Sequence, residues 1–319
     1  MPTAQPGQIG VRVHAAAVNF PDVLLIANSY QVSIPPPFVP GSEFAGTIDE
    51  VGSDTTGFAT GDRVTGTGMF GAFAERVVVD ATTLARIPDG IDEPTAVAFG
   101  VAYRTAYHTL RSTARLKSGD ELVVLGAGGG VGLAAVQLGV ALGANVTAVA
   151  SSPEKLDAAA NYGATNLIEH RRAGAERLGD QSRRVELRPA LRPALRDALP
   201  DGADVVVDTV GGDLAEPALR SLRRGGRFVT VGYASGVIPR IPLNLVLVKG
   251  IHVMGFQFQD VPPEDFERNE TELRELLVAG RVSPHVGAVY PLAETASALR
   301  HVADGRAIGK VLIDLSLRA

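Results

Sequence analysis

The sequence predicts an α/β fold in which a doubly wound parallel sheet accompanies a smaller, barrel-like β domain. Strand-like and helix-like segments alternate from Glu121 onward, a Gly-rich turn joins the first of these strands to a helix, and the first hundred residues hold short β-branched runs between Gly and Pro. Such alternation is typical of a parallel sheet covered by helices on both faces. At 319 residues the chain exceeds the usual size of one hydrophobic core, so we expect two domains.

The N-terminal region is predicted to form the β domain and to end in a helix. Short β-branched runs separated by turn residues are typical of strands in a barrel. The runs cover residues 11–13, 46–51, 63–65 and 76–79. An Ala-rich helical pattern follows over residues 95–110.

The region after residue 120 is predicted to form the parallel sheet. Its candidate strands are residues 121–125, 145–150, 165–168, 204–208, 227–232 and 252–256. In the tail we expect helices at residues 271–279 and 292–303 and a strand at 310–315. This tail could rejoin the N-terminal domain.

One segment departs from the alternation, because residues 171–200 are crowded with arginine and contain Arg-Pro-Ala-Leu twice in tandem at 188–195. Proline removes a backbone donor and blocks a regular helix. We therefore predict a surface loop with broken helix, in which the arginines are solvated.

Composition and charge favour a small-molecule ligand. The net charge of −5 provides no basic field to concentrate nucleic acid or anionic lipid. The chain has no cysteine, which excludes disulfides, thiolate nucleophiles and cysteine-ligated zinc. Without cysteine the chain cannot form disulfides, and its N-terminus does not carry the basic segment followed by an apolar segment that is typical of a secretory signal. We therefore expect a cytoplasmic protein. The uncharged run 122–153 is interrupted by seven glycines, which favours strand, turn and helix over a membrane span.

The Gly-rich turn after the strand 121–125 predicts a dinucleotide site. Gly126-Ala-Gly-Gly-Gly-Val-Gly132 leads directly into a helical segment. The free amides and positive dipole end of such a helix suit a pyrophosphate. Gly129, Gly130 and Val131 would form the binding turn, and Gly132 would allow the helix to pack closely on the strand.

The end of the next strand predicts NADPH rather than NADH. NAD enzymes usually place an acid on the ribose hydroxyls about twenty residues past the glycines. This chain has Ser151 and Ser152 there, and Lys155 lies one turn later. The hydroxyls can hydrogen-bond a 2′-phosphate and the lysine can neutralise it. Helix capping by Ser152 and Pro153 is the alternative and is compatible with this role.

Six further motifs, in order, resemble those of the medium-chain dehydrogenase/reductases, specifically the zinc-free NADPH:quinone oxidoreductase branch. They are Val-Asn-Phe-Pro-Asp at 18–22, Pro-Gly-Ser-Glu-Phe-Ala-Gly at 40–46, Gly-Asp-Arg-Val at 61–64, Val-Val-Val-Asp-Thr-Val-Gly-Gly at 205–212, Gly-Gly-Arg at 225–227 and Gly-Lys-Val at 309–311. The resemblance implies a GroES-like catalytic domain over residues 1–103 and 260–319, and a Rossmann NADPH-binding domain over residues 104–259.

The same resemblance implies that no metal is bound. Zinc alcohol dehydrogenases of the superfamily place cysteine at the position of Asn19, histidine at that of Ser42 and a further ligand near Val101. These side chains offer neither thiolate nor imidazole. The six histidines also show no paired helical spacing.

Resemblance to the family also assigns the remaining cofactor contacts. Asn19 and Thr105 are expected near the cofactor, together with Val210 of the 205–212 motif. Lys310 is expected to approach the phosphates, and His170 occupies a position where relatives often use a tyrosine on the 2′-phosphate. The residues expected to line the nicotinamide pocket are Gly232, Tyr233, Met254, Gly255 and Phe256.

The predicted catalytic residues are Asn19, Asp22 and Tyr30. Without a metal, neutral donors must polarise the acceptor, so we expect the Asn19 amide and the Tyr30 hydroxyl to face its oxygen. The proton would come from solvent or through Asp22. Asn19 could instead be a turn residue, Asp22 a helix cap and Tyr30 only a pocket wall. Glu43 is predicted to be a buried structural residue bonded to backbone.

The sequence therefore predicts a reductase that transfers a hydride from NADPH to a quinone or another electron-poor enone. An enoyl thioester reductase is the alternative within enzymes, because polyketide-type reductases resemble the same motifs. A non-enzymatic dinucleotide- or RNA-binding protein is the alternative outside them, although the acidic charge argues against RNA. By the family resemblance, we also expect a homodimer through an edge strand at residues 252–258.

Overall fold

The computed structural model describes residues 3–170 and 188–317. The chain divides into two compact units. Unit 1 comprises Met1–Ala102 and Ser283–Ala319, and unit 2 comprises Tyr103–Val282.

Unit 1 is built on a mainly antiparallel sheet that, in the described residues, has seven strands in the order β12-β13-β1-β2-β3-β5, with β4 paired to β1. Its core lies on one face of the long first strand, which buries Ile9, Val11 and Val13 against Phe44 and Ile313. The strands are β1 Gln8–Val18, β2 Glu43–Val51, β3 Arg63–Thr67, β4 Arg76–Asp80, β5 Leu84–Arg86, β12 Val286–Pro291 and β13 Lys310–Asp314, and the helices of this unit are α1 Phe20–Ile26 and α9 Thr295–Ala303.

Unit 2 contains a parallel sheet in the order β11-β10-β9-β6-β7-β8. The chain order reverses between β6 and β9, and ligands of such sheets bind beyond the carboxyl ends of the strands at this reversal. The strands are β6 Glu121–Leu125, β7 Asn145–Ala150, β8 Asn166–Glu169, β9 Ala203–Asp208, β10 Leu222–Thr230 and β11 His252–Gly255. The helices are α3 Gly130–Ala141, α4 Pro153–Asn161, α5 Arg188–Ala198, α6 Ala215–Ser221, α7 Leu243–Lys249 and α8 Pro263–Val278.

The predicted parallel sheet and β domain are confirmed, and most differences lie at element ends. The predicted helix at 95–110 is α2, Glu93–His108, and it contains the first junction between the units. The short strand β5 was not predicted, and β10 begins five residues earlier than expected.

The prediction that proline prevents a regular helix near residue 190 is wrong for the described part of that segment. Helix α5 contains Pro193. Leu191, Leu195 and Leu199 recur at every fourth position, are buried, and pack in the core of unit 2. Burial of this stripe outweighs the missing backbone hydrogen bond. Residues 171–187 of the predicted loop lie outside the described residues.

The second junction between the units lies further along than the predicted boundary at residue 260, since unit 2 continues to Val282. Side chains of α2 hold α8 in this unit. Arg104 makes two hydrogen bonds of 2.9 Å to the Glu270 carboxylate. His108, fully buried, binds Glu270 through Nε2 at 2.9 Å and stacks on Phe266.

Helices long and apolar enough to cross a membrane are absent from residues 3–170 and 188–317.

Candidate functional site

The predicted cofactor residues of unit 2, Thr105 excepted, lie at the carboxyl ends of the parallel strands. Each strand of the sheet contributes at least one of them, at its end or in the loop that follows. Because these ends share one edge of the sheet, the chain brings together residues that are far apart in sequence. They are Gly129, Gly130 and Val131 after β6, Ser151, Ser152 and Lys155 after β7, His170 after β8, Val210 after β9, Gly232 and Tyr233 after β10, and Met254, Gly255 and Phe256 at and after the end of β11.

The Gly-rich turn brings the start of α3 close to the end of β6. Gly126 N and Ala127 N both donate to the Val149 carbonyl at 3.0 Å, which ties the turn to β7. A Cβ on Gly132 would overlap the Gly126 carbonyl oxygen, so only glycine allows this approach. Gly129 is the N-cap of α3 and carries no side chain to occupy the helix amides. These amides are available to an anion.

Ser151, Ser152 and Lys155 form one polar cluster after β7. The predicted cap is confirmed, since Ser152 Oγ accepts from Lys155 N at 3.5 Å. The Lys155 side chain passes directly over Gly128. A Cβ added to Gly128 would lie 2.5 Å from Lys155 Cβ and Cγ. Its ammonium then reaches Ser151 Oγ at 3.3 Å. A cation and two hydroxyls therefore stand close to the turn that presents the α3 amides.

The neighbouring loop ends extend this edge of the sheet. His170 N donates to the Ala150 carbonyl at 2.8 Å, which places His170 next to the end of β7. Gly232 N donates to the Asp208 carbonyl at 3.3 Å. Phe256 N donates to the Thr230 carbonyl at 3.2 Å, and the Phe256 ring meets that of Phe258 edge-on.

Asp208 is a residue of this edge whose function sequence reasoning missed. Its Oδ1 accepts from Val210 N at 2.9 Å and from Gly211 N at 2.8 Å, which fixes the turn after β9. Thr209 Oγ1 donates to the Leu125 carbonyl at 2.9 Å and joins this turn to β6. Burial raises the pKa of Asp208, although its two backbone hydrogen bonds oppose the shift.

In unit 1, Asn19, Glu43 and Lys310 form a buried charged cluster. Lys310 Nζ lies 2.6 Å from Asn19 Oδ1 and 3.1 Å from Glu43 Oε2. Asn19 Nδ2 donates to the same Glu43 oxygen at 3.0 Å. The side chains of Lys310 and Glu43 are 4% and 1% exposed, so the ion pair is shielded from water. Val101 N donates to Glu43 Oε1, which confirms the prediction that Glu43 is bonded to backbone.

This cluster changes what Asn19 and Lys310 can do. Asn19 Nδ2 has two hydrogens, and it faces Glu43, Ser42 at 3.4 Å and the Ala17 carbonyl at 3.5 Å. The amide is thus turned toward the protein, which does not support its predicted role as donor to an acceptor. The Lys310 ammonium is held inside the cluster, and its approach to phosphates stays a prediction.

Asp22 is buried beside this cluster and makes the helix-capping contact that was the alternative to its predicted catalytic role. Its Oδ2 accepts from Asn19 N at 2.7 Å at the start of α1, and the residue has no exposed surface. Burial raises the pKa of Asp22 to about 6. The Asn19 backbone, Ser42 and Lys310 act against this rise, and Glu43 adds to it. Asp22 Oδ1 has no hydrogen-bond partner in the described chain.

Tyr30 and Thr105 complete the predicted residues. Tyr30 follows α1 and exposes 37% of its surface. Thr105 lies on α2 in unit 2 and is buried.

The residues present do not suit a catalytic zinc. Asn19 and Ser42, which the family resemblance matches to two zinc-ligand positions, come within 3.4 Å, and Val101 N donates to Glu43. An amide, a hydroxyl and a valine are poor zinc ligands. The Lys310 ammonium already provides positive charge there and would repel a metal ion. Among the residues that the structure describes, no three His, Cys, Asp or Glu side chains form a metal-binding group.

Two family models match the chain. The alcohol dehydrogenase GroES-like domain matches residues 5–89, and the zinc-binding dehydrogenase model matches residues 130–275. Quinone oxidoreductase-like protein 2 of Bos taurus is 35% identical over 317 residues, which cover 98% of this chain and 86% of the relative. The chain belongs to the quinone oxidoreductase family of the medium-chain dehydrogenase/reductases. The predicted GroES-like and Rossmann folds are confirmed with it.

Two further relatives of this quinone oxidoreductase family member bear on its chemistry. The Escherichia coli quinone oxidoreductase structure, complexed with NADPH, has a TM-score of 0.83 and 27% identity and covers 98% of this chain and 93% of that one. The polyketide synthase system protein NorB of Streptomyces orinoci is 32% identical over 97% of this chain, which covers 13% of NorB.

We predict that Lys310→Met destabilises this family member by about 3–5 kcal/mol, because the buried Glu43 carboxylate loses its counter-charge. The measurement is urea unfolding followed by circular dichroism. Lys117→Met, which removes an exposed lysine, is the matched control and should leave the midpoint unchanged. The double variant Lys310→Met/Glu43→Gln should recover part of the loss. Equal midpoints for Lys310→Met and wild type would contradict the buried ion pair.

Proposed function

We propose that this protein is an NADPH-dependent oxidoreductase that reduces a quinone or another electron-poor enone without zinc. The observation that carries the proposal is the arrangement at the carboxyl edge of the parallel sheet. There the open N-terminus of α3, the glycine turn and the cluster of Ser151, Ser152 and Lys155 lie side by side.

The chemistry of this edge suits a dinucleotide with a third phosphate. The α3 amides and helix dipole match a pyrophosphate. The two serine hydroxyls and the Lys155 ammonium match a 2′-phosphate, and His170 stands at the end of the adjacent strand. The NADPH complex of the Escherichia coli quinone oxidoreductase supports the same choice of cofactor.

When bound, NADPH would supply the hydride, and Asp22, Tyr30 and Asn19 are the residues that we propose for the proton and the acceptor. Asp22 is the proton source in this scheme, because its raised pKa leaves the carboxyl partly protonated near neutral pH. Tyr30 is the candidate donor to the acceptor oxygen, since its side chain is exposed. Asn19 acts as a positioning residue, as Lys310 and Glu43 hold its amide.

The polyketide synthase relative favours one second candidate, an enoyl thioester reductase. The same carboxyl edge of the parallel sheet and the same proton source would serve that reaction, with a thioester-conjugated alkene as acceptor. A cytoplasmic location is part of the proposal and rests on the absence of cysteine from the sequence.

The activity test measures NADPH oxidation by the purified chain with para-benzoquinone, phenanthrenequinone and a crotonyl thioester as separate acceptors. We expect turnover with the quinones to exceed turnover with the thioester. Faster reduction of the thioester would favour the second candidate. Tight NADPH binding without oxidation by any acceptor would favour a non-enzymatic binding protein, and absence of NADPH binding would overturn the proposal.

Lys155→Ala should lower the affinity for NADPH by about 10–100-fold and leave NADH affinity unchanged, because only NADPH carries the phosphate that the ammonium would contact. The measurement is a fluorescence titration with each coenzyme. Lys117→Ala is the control, since this lysine is exposed and lies before β6 rather than at the carboxyl edge. An unchanged ratio of the two affinities in Lys155→Ala would remove Lys155 from the site.

We also propose a homodimer in which β11 pairs with its copy in a second subunit. In the described sheet, β11 is an edge strand paired with β10 alone. Large apolar side chains around it are exposed, with Leu243 at 76%, Leu247 at 84% and Val253 at 39%. An open apolar edge next to an apolar helix favours association over solvation.

Leu247→Glu/Val253→Lys should convert the dimer to a monomer, because charges on both elements oppose burial of this surface. Light scattering should give twice the 33.3 kDa chain mass for wild type and the single mass for the double variant. Leu167→Glu, an exposed position on the opposite edge strand β8, should remain dimeric. A monomeric wild type would refute the dimer.

A further inference from the structure

Five basic side chains line a cleft at the amino edge of the parallel sheet in unit 2. The cleft has a volume of about 270 Å³ and lies where β9 and β10 begin, at the edge of the sheet opposite the candidate cofactor site. Among the described residues that line it, Asp201 alone carries a negative charge. The cations are Arg192 and Arg196 of α5, Arg220 of α6, Arg223 of β10 and Lys249 of α7.

The topology of unit 2 explains why these cations meet. A helix that leads into a strand of a parallel sheet ends at the amino edge, where that strand starts. Helix α5 leads into β9, α6 into β10 and α7 into β11. Arg196, Arg220 and Lys249 each lie in the last turn of their helix, where the helix dipole favours a cation. The dipole accounts for each cation singly, and the sheet brings the helix ends to one cleft.

The tandem Arg-Pro-Ala-Leu repeat supplies the arginines of α5. Leu191 and Leu195 are buried in the core of unit 2. Arg192 and Arg196 each follow one of these leucines, are four positions apart, and are exposed. Because residues four apart share one face of a helix, both guanidinium groups reach the same cleft. The repeat thus anchors α5 with its leucines and charges the cleft with its arginines.

Two positive charges in the cleft are not compensated by a carboxylate. The acidic partners of the other three arginines lie outside the lining, as Glu216 does for Arg220 at 2.8 Å. Arg192 and Lys249 form no ion pair with any residue that the structure describes. An anion in the cleft would therefore meet cations that have no competing partner.

The backbone holds the Lys249 ammonium in place and leaves it one hydrogen for a ligand. Lys249 Nζ donates to the Arg220 carbonyl at 2.7 Å and to the Leu222 carbonyl at 2.6 Å. These contacts cover the negative end of α6, and an ammonium has three hydrogens. Burial, followed by the charges of Arg220 and Arg192, lowers the pKa of Lys249. A bound anion would offset that repulsion between cations.

We propose that this cleft binds a small phosphate-bearing anion through Arg192, Arg220 and Lys249. Guanidinium and ammonium groups donate charge-assisted hydrogen bonds to phosphate oxygens. Arg220 binds Glu216 through Nε and Nη2, which leaves its Nη1 for the ligand. The volume of about 270 Å³ is close to the lower end of the range for small-molecule sites, so the ligand class is a pyrophosphate or a phosphate monoester. The site is separate from the proposed reductase chemistry, because it lies at the opposite edge of the sheet from the Gly-rich turn.

The test titrates the full chain with inorganic pyrophosphate, at an ionic strength held constant with sodium chloride, and follows the arginine side chains by proton–nitrogen NMR. The Arg192 Nε signal, identified by its loss in Arg192→Gln, should shift on binding. Lys249→Gln should weaken this binding by about 10-fold or more, because a charged hydrogen bond is lost, and Lys249→Arg should restore most of it. Arg274→Gln, which removes an exposed arginine of α8 outside the cleft, is the matched control and should titrate as wild type does.

Lys155→Ala separates this cleft from the proposed 2′-phosphate site, where pyrophosphate has a second set of donors. The Arg192 signal should shift in Lys155→Ala as it does in wild type. An Arg192 signal that stays in place at saturating pyrophosphate would overturn the cleft as a phosphate site, even if Lys249→Gln does not fold. Cosedimentation with phosphatidic acid vesicles without a response to pyrophosphate would overturn the small-molecule class. None of these outcomes bears on quinone reduction, which is assayed separately with NADPH.

Discussion

The Glu43 carboxylate holds together the buried polar residues Asn19, Asp22, Ser42 and Lys310 of unit 1, which with Glu43 are called the acid site here. Its Oε1 accepts from Val101 N at the middle of α2, and its Oε2 accepts from both Lys310 and Asn19. The Glu43 side chain therefore connects β2 to the three segments that carry Val101, Asn19 and Lys310. A Cβ on Gly100 would overlap Glu43 Oε1, so a side chain at that position would displace the carboxylate from its present contact with α2.

Burial of the ion pair has a consequence for the neighbouring acid. Lys310 and Glu43 form an ion pair, so their opposite charges largely cancel in their effect on the Asp22 carboxyl. Desolvation therefore dominates the Asp22 pKa and raises it. A metal at this position would add charge and hold the carboxyl ionised. A buried ion pair beside Asp22 is thus compatible with a carboxyl whose pKa burial raises to about 6.

Sequence reasoning worked where the determinants are local. The turn at Gly126–Gly132 follows from a strand, glycines and a helix that are adjacent in the chain, and the structure shows this strand, turn and helix with the close packing that Gly132 allows. It failed at α5, because Pro193 is a local signal whereas the stripe of Leu191, Leu195 and Leu199 depends on tertiary packing. The pairing of Glu43 with Lys310, 267 residues apart, has no local signal at all.

The two sites therefore differ in how sequence specifies them. The proposed cofactor site at the carboxyl edge of the parallel sheet consists largely of backbone amides, and it needs glycines and small hydroxyl residues at fixed spacing. The acid site consists of side chains from distant segments, and each is held by another: Lys310 by Glu43, Asn19 by both, and Ser42 by Asn19. A motif can reveal the first kind of site. The second becomes visible only when the fold shows which side chains are buried together. Nothing in the sequence indicated that the Asn19 amide would contact Glu43, Ser42 and Lys310.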